Sequence, residues 1–199
     1  MSHKLKLNRL FLLFIFFTNL VSAAKNFPDQ FYMEYELTQS SNFVGTMTIK
    51  YESKNKNYAF KAVTKGQGIL RLLGNRELYS KGVIDNKGFY PKKFELKNIK
   101  KPKKNITAIF QHTSKKIKIK YKGETSFMDL KPKVLDLGIY LYQFNFEKKN
   151  KDKYSFRVLE GKKIREYEYN KIRDEVILVN NKDKATELYE GRIITKENS

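Results

Sequence analysis

The chain reads as a mainly β protein: a single curved antiparallel sheet or half-open β-barrel with one covering α-helix. Three observations predict this. Short apolar–polar alternations recur at roughly ten-residue spacing between Asn-, Gly- and Lys-containing turns, the pattern of strands joined by hairpins. Lys116–Lys122, KIKIKYK, puts Ile117, Ile119 and Tyr121 on one face and lysines on the other, which describes a half-buried strand with a solvated side. A single segment, Val134–Phe146, spaces Leu137, Tyr140, Leu141 and Phe144 at helical intervals.

Taken from its start, the chain opens on Lys4, Lys6 and Arg9, then the apolar run Leu10–Val21 interrupted by Thr18 and Asn19, then Ser22-Ala23-Ala24. This is the three-part layout of a secretory signal peptide over residues 1–24, cleaved after Ala23 or Ala24. The run is shorter than the ~20 apolar residues that span a bilayer. Residues 25–199 are expected to form a single β-rich domain with a frayed tail at Thr195–Ser199. That domain is expected to be periplasmic or secreted, without a transmembrane segment. The absence of Cys excludes disulfides, Cys-based metal sites and thiol nucleophiles, and mildly favours a bacterial source.

Phe31–Gln39 reads as a first strand and Phe43–Glu52 as a second, with Gly45 at a bulge or close approach. Tyr58, Phe60 and Ala62 then alternate against Lys61 to make a third. Gly66–Gly74 breaks the rhythm as a short helical turn or an apolar connection. It lacks the Lys-Ser/Thr of a phosphate-binding loop, since Asn75-Arg76 follows Gly74. Arg76–Leu96 is a hairpin turned at Asp85-Asn86-Lys87-Gly88, residue types that accept turn backbone. Ile106–His112 and Lys115–Lys122 pair next. Pro132 stands just before Val134–Phe146, where a helix can start, and a lone helix among strands would cover one face of the sheet. Four arms follow at Tyr154–Leu159, Ile164–Tyr169, Glu175–Val179 and Thr186–Tyr189, separated by turns that include Asn170–Asp174.

The net charge is +20, and the leader holds three of the positive charges, leaving +17 on the remainder. Of 41 basic residues 34 are Lys and 7 are Arg. Specific phosphate and base recognition favours the planar guanidinium, so this balance reads as composition rather than nucleic-acid recognition. Attraction to anionic surfaces follows as a side effect. Phe and Tyr interleaved with basic residues, as at Tyr51, Tyr58, Phe60, Phe89 and Tyr90, could stack bases, but with no Trp they are needed for the core.

Chemistry is sparse. His112 is the one His outside the leader, so neither a His-based metal cluster nor a GxSxG-type triad is available. His112 reads as a strand-end residue. The carboxylates that could do acid–base work are Asp129 and Asp136, flanking Pro132, and Glu166 and Glu168, sharing one strand face. The first pair reads as bordering the helix and the second as a solvent face. No catalytic, cofactor-binding or metal-binding residue is assigned, and nothing nominates an enzyme.

Five segments in this order resemble the bacterial exported family called domain of unknown function 3108. They are Phe31–Leu37; Ser80-Lys81-Gly82-Val83-Ile84; Gly88-Phe89-Tyr90-Pro91-Lys92-Lys93-Phe94; Leu135-Asp136-Leu137 with the following helix; and Glu160-Gly161-Lys162-Lys163. The resemblance spans most of residues 31–170, and Gly-x-x-Pro in the hairpin is its most specific part. The chain departs from the family in having no Trp and in ending shortly after Arg192 on polar residues. The resemblance implies a curved antiparallel sheet in the periplasm and supplies no activity. The expected function is a non-catalytic binding or cell-envelope protein, with an apolar groove for a lipid-like ligand or partner segment. The alternatives are an exported carboxylate-dependent hydrolase and an electrostatic polyanion-binding protein.

Overall fold

The computed structural model describes residues 27–40, 42–68, 71, 74–149, 151–179 and 181–194. Residues 1–24, expected from the sequence to be a signal peptide, the tail Thr195–Ser199 and part of the Gly66–Gly74 connection lie outside these residues. Eight strands follow one another across an antiparallel sheet in chain order: β1 (Gln30–Gln39), β2 (Asn42–Lys54), β3 (Asn57–Gly66), β4 (Arg76–Asp85), β5 (Gly88–Asn98), β6 (Ile106–Gln111), β7 (Lys116–Tyr121) and β8 (Glu124–Asp129). The sheet stays open, with β1 and β8 at its two ends. A second sheet has the order β12 (Lys182–Ile194), β11 (Lys163–Val179), β10 (Lys153–Glu160), β9 (Val134–Asp136), and only β9–β10 is parallel.

The expected fold class is the one observed: mainly β, an open antiparallel sheet, with a helical segment against one face. Three details differ. The strands after residue 130 form their own sheet. The helix is of the 3-10 type and covers Tyr140–Phe146, while Val134–Asp136 at its expected start is strand β9. The short helical repeat buries Gln143 and leaves Leu141 53% exposed, because side chains three apart eclipse in a 3-10 turn whereas the α spacing would turn Leu141 inward. Finally, Ile164–Tyr169 and Glu175–Val179 are one strand. The polar stretch between them is a β-bulge, with the register shifting between Lys171 and Arg173; an extra residue bends a strand without ending it.

The smaller sheet and the 3-10 helix lie on the inner face of the larger sheet. Ile49, Tyr51, Tyr58 and Phe60 pack with Leu135, Ile139, Phe156 and Val158. Alongside, Phe94, Ala108, Ile117 and Ile119 pack with Val134 and Leu159. Aromatic rings fill the space where the sheets meet. Phe31 stacks on Tyr51 at 4.9 Å between centroids, and Phe27 meets Phe89 edge-on at 5.4 Å. Phe144 meets Phe156 at 4.8 Å and Tyr154 at 5.0 Å, also edge-on. These are the offset and T-shaped geometries that ring quadrupoles favour.

The β4–β5 hairpin is tied to the helix. In the turn, the Lys87 N–H donates to Asp85 Oδ1 at 2.7 Å. The Phe89 N–H donates to Gln143 Oε1 (3.0 Å), and Gln143 Nε2 donates to the Lys87 carbonyl (3.0 Å). Gly88 has φ +117°, and a Cβ there would come within 2.1 Å of Gln143 Oε1. The residue is therefore fixed twice, by backbone conformation and by the amide that lies over it. Gly82 sits at the bulge of the same hairpin, where a Cβ would lie 2.1 Å from the Tyr90 carbonyl.

Candidate functional site

The residues singled out for chemistry are dispersed. Asp129 closes β8 and accepts from Lys116 Nζ at 2.7 Å, a contact that lowers its pKa. Glu166 accepts from Ser155 Oγ at 3.0 Å. Glu168, expected on a solvent face, is almost fully covered. Lys153 and Arg192 close over it, Arg192 at 2.6 Å, and Asn170 donates to it as well. Lys153, then Arg192, hold its carboxyl down to about 2. It is a structural ion-pair centre, so its cover comes from long cationic side chains folding back over the strand. His112 sits in the turn after β6, where its Nε2–H donates to the Pro91 carbonyl at 2.7 Å. Tyr51, Tyr58, Phe60 and Phe89 are core residues, while Tyr90 is exposed.

Asp136 lies between the sheets with no exposure. Ser80 Oγ donates to its Oδ2 at 2.6 Å, the Gly138 N–H donates to its Oδ1 at 2.8 Å, and Tyr58 Oη lies 3.0 Å from Ser80 Oγ. The chain Tyr58–Ser80–Asp136 thus joins β3 and β4 of one sheet to β9 of the other. Desolvation raises the Asp136 carboxyl to about 7, against hydrogen bonds from Ser80 and from the Gly138 and Ile139 backbone that favour its anion. Burial raises the Tyr58 phenol well above its ordinary value. The arrangement holds a proton in a sealed interior, out of reach of a substrate. Asp129, Asp136 and Glu166 share no element and no hydrogen-bond partner. Among the described residues no group of three or more His, Asp or Glu could hold a metal ion.

One place open to a ligand is the other side of the same strands; a second hollow, of about 1080 Å³, lies by Phe144, Tyr154, Tyr169 and Tyr189. The outer face of the large sheet is hollowed over β1–β5 into a pocket of about 840 Å³. Its floor follows from the register. One row across the strands runs Tyr32, Lys50, Lys61, Tyr79, Glu95, and the next runs Glu52, Ala59, Lys81, Lys93. Lys50 faces Lys61 and Lys81 faces Lys93 in directly opposed positions, where like charges repel. Lys93 pairs with Glu95 at 3.2 Å. Lys50 instead rests over the Tyr32 ring at 5.7 Å and Lys61 over the Tyr79 ring at 5.1 Å, with Lys97 on the same Tyr79 ring at 5.0 Å. Hydrogen bonding to Tyr79 raises the Lys61 pKa further and keeps it charged.

Reasoning from sequence missed this site. Tyr32, Lys50, Lys61 and Tyr79 are scattered over 48 positions of sequence and meet only through pairing register. The available signal was lysine and tyrosine at outward positions of neighbouring alternations.

Among the described residues no helix is long and apolar enough to cross a membrane. No curated protein and no solved structure matches the chain. Residues 34–194 match the family described as Protein of unknown function (DUF3108). That span runs from β1 through the last residue of β12 and so includes the second sheet. The chain belongs to the DUF3108 family.

Proposed function

We propose that this is an exported, non-catalytic binding protein of the cell envelope that holds its ligand in the hollow of the outer sheet face. One observation carries the reading. A pocket of about 840 Å³ opens on strands whose reverse side is the packed core, a volume suited to a small organic ligand. Its lining includes Tyr32, Tyr79, Ala59 and the lysines, with Phe31, Tyr51 and Phe60 also bordering it, and the aliphatic stems of lysines cover apolar groups while their heads stay wet. The space between the sheets is occupied by aromatic rings, which argues against an acyl chain threading the interior. Export rests on the leader sequence. A hydrolase is less well supported, because its candidate carboxylates are apart and one is sealed.

The test is native mass spectrometry of the protein purified from its host, followed by extraction and identification of bound species. A bound small molecule lost in the Tyr32→Ala/Tyr79→Ala variant supports the reading. A species retained in that variant, or no species binding across a ligand panel, overturns it.

A further inference from the structure

We infer that the pocket on the outer face is specific for a short acidic oligosaccharide, an inference that rests on the binding reading above. The first ground is charge. Four ammonium groups, Lys50, Lys61, Lys81 and Lys93, stand round one hollow, in two directly opposed pairs. Glu52 and Glu95 also border it, but of these four lysines only Lys93 makes an ion pair among the described residues. A sheet that served folding alone would be better off with opposite charges at those positions. Lys50 and Lys61 lie instead against tyrosine rings, a cation–π contact worth little at an exposed site. An arriving anion offers each ammonium a charge-assisted hydrogen bond, which is stronger, and releases the ring faces.

The second ground is shape. Tyr32 on β1 and Tyr79 on β4 flank Lys50 and Lys61 in their row, which continues to Glu95 on β5; the two rings stand three strand spacings apart, or roughly 14 Å. The ligand therefore lies across the strands, with anionic groups over the central lysines and flat faces at the two ends. Saccharide rings meet this demand. They carry acidic substituents, present C–H faces to aromatic rings, and need no deep apolar channel. Single-stranded nucleic acid shares the charge and the stacking, but the recognition chemistry here is Lys and Tyr without an arginine fork.

The experiment measures binding of a fluorescent sulfated tetrasaccharide to the purified protein at several salt concentrations. Competitors are a neutral glucose tetrasaccharide, inorganic phosphate, oligothymidylate and phosphatidylglycerol vesicles. Variants are Lys50→Gln/Lys61→Gln, Tyr32→Ala/Tyr79→Ala and, as a charge-matched control on the same face, Lys118→Gln/Lys120→Gln on β7. All are outward positions, and thermal midpoints verify folding. The expected result is a loss of roughly tenfold or more for Lys50→Gln/Lys61→Gln, as removal of two charge-assisted contacts predicts. Tyr32→Ala/Tyr79→Ala loses a comparable amount and the β7 control less than about twofold.

Equal losses in the lysine pair and the β7 control would mean diffuse attraction and overturn the inference. So would tighter, lysine-dependent binding of oligothymidylate, vesicles or phosphate. If the neutral tetrasaccharide binds, depends on the two tyrosines and ignores the lysines, the acidic specificity fails while the binding reading stands. If nothing binds, or if neither the tyrosines nor the lysines affect binding, both fail.

Discussion

The inner face of β2–β4 carries Ile49, Tyr51, Tyr58, Phe60 and Ser80. The outer face of the same strands carries Lys50, Ala59, Lys61, Tyr79 and Lys81. Alternate residues of one ladder therefore write two surfaces with opposite logic. Inside, side chains are packed against one another, and the polar chain through Ser80 is closed on itself. Outside, opposed positions hold like charges that the fold does not need. The difference separates what keeps the protein folded from what it offers to a ligand. It can be broken or sharpened by substitutions on each side.

The largest effect belongs to the interior. Phe94 has no exposed surface, so Phe94→Ala should destabilise the fold by about 3–5 kcal/mol through lost transfer energy and a residual cavity, read as a lower denaturant midpoint. Asp136 should give the interior a pH signature. Its folded pKa of about 7 lies above the ordinary 3.8, so between these values the folded state keeps a proton that the unfolded chain has lost. The contribution of Asp136 is then greatest below about pH 4, falls by up to about 4 kcal/mol as pH rises to 7, and is flat above. Glu168, held down to about 2, acts with the opposite sign, and its contribution is lost as pH falls below about 4.5. Asp136→Asn should remove the slope, since an amide can donate to Ser80, which can in turn donate to Tyr58. A slope unchanged in that variant would assign the titration elsewhere.

Gly88→Ala should cost about 2 kcal/mol, from backbone strain at positive φ and displacement of Gln143. Gln143→Ala in the same background should restore little of it, because the Phe89 N–H then lacks its partner. The smallest effect belongs outside. Lys50→Gln/Lys61→Gln should shift stability by less than about 0.5 kcal/mol, since the change relieves repulsion and removes a weak cation–π attraction at the same time. A destabilisation matching that of the core changes would erase the distinction between the faces.

Much of the large sheet is legible in the sequence because hairpins are local. Asp85–Gly88 announces its turn, and KIKIKYK announces both its faces. The 3-10 helix is easily misread because Leu137, Tyr140, Leu141 and Phe144 satisfy the α spacing, while Asp136 and Gly138 turn the chain through a hydrogen bond that sequence does not display. The bulge at Lys171–Arg173 passes for a turn because polar residues serve both. The pocket is hidden for a different reason. Register decides which lysines meet, and register depends on bulges such as the one at Gly82, which move every later residue to its actual neighbour.

The ties from Gln143 and Asp136 also bear on the order of assembly. Seven consecutive antiparallel pairings can form between near neighbours in the chain, a low-contact-order process of successive zipping. Phe89 waits 54 residues for Gln143 and Ser80 waits 56 for Asp136. A chain emerging N-terminus first could build most of the large sheet early, yet its inner face would stay wet and its buried donors unmatched until β9 and the helix arrived. The late segment thus acts as the closing step of folding. A truncation before residue 134 should leave a sheet with an exposed aromatic face, prone to clinging to other chains rather than to a ligand.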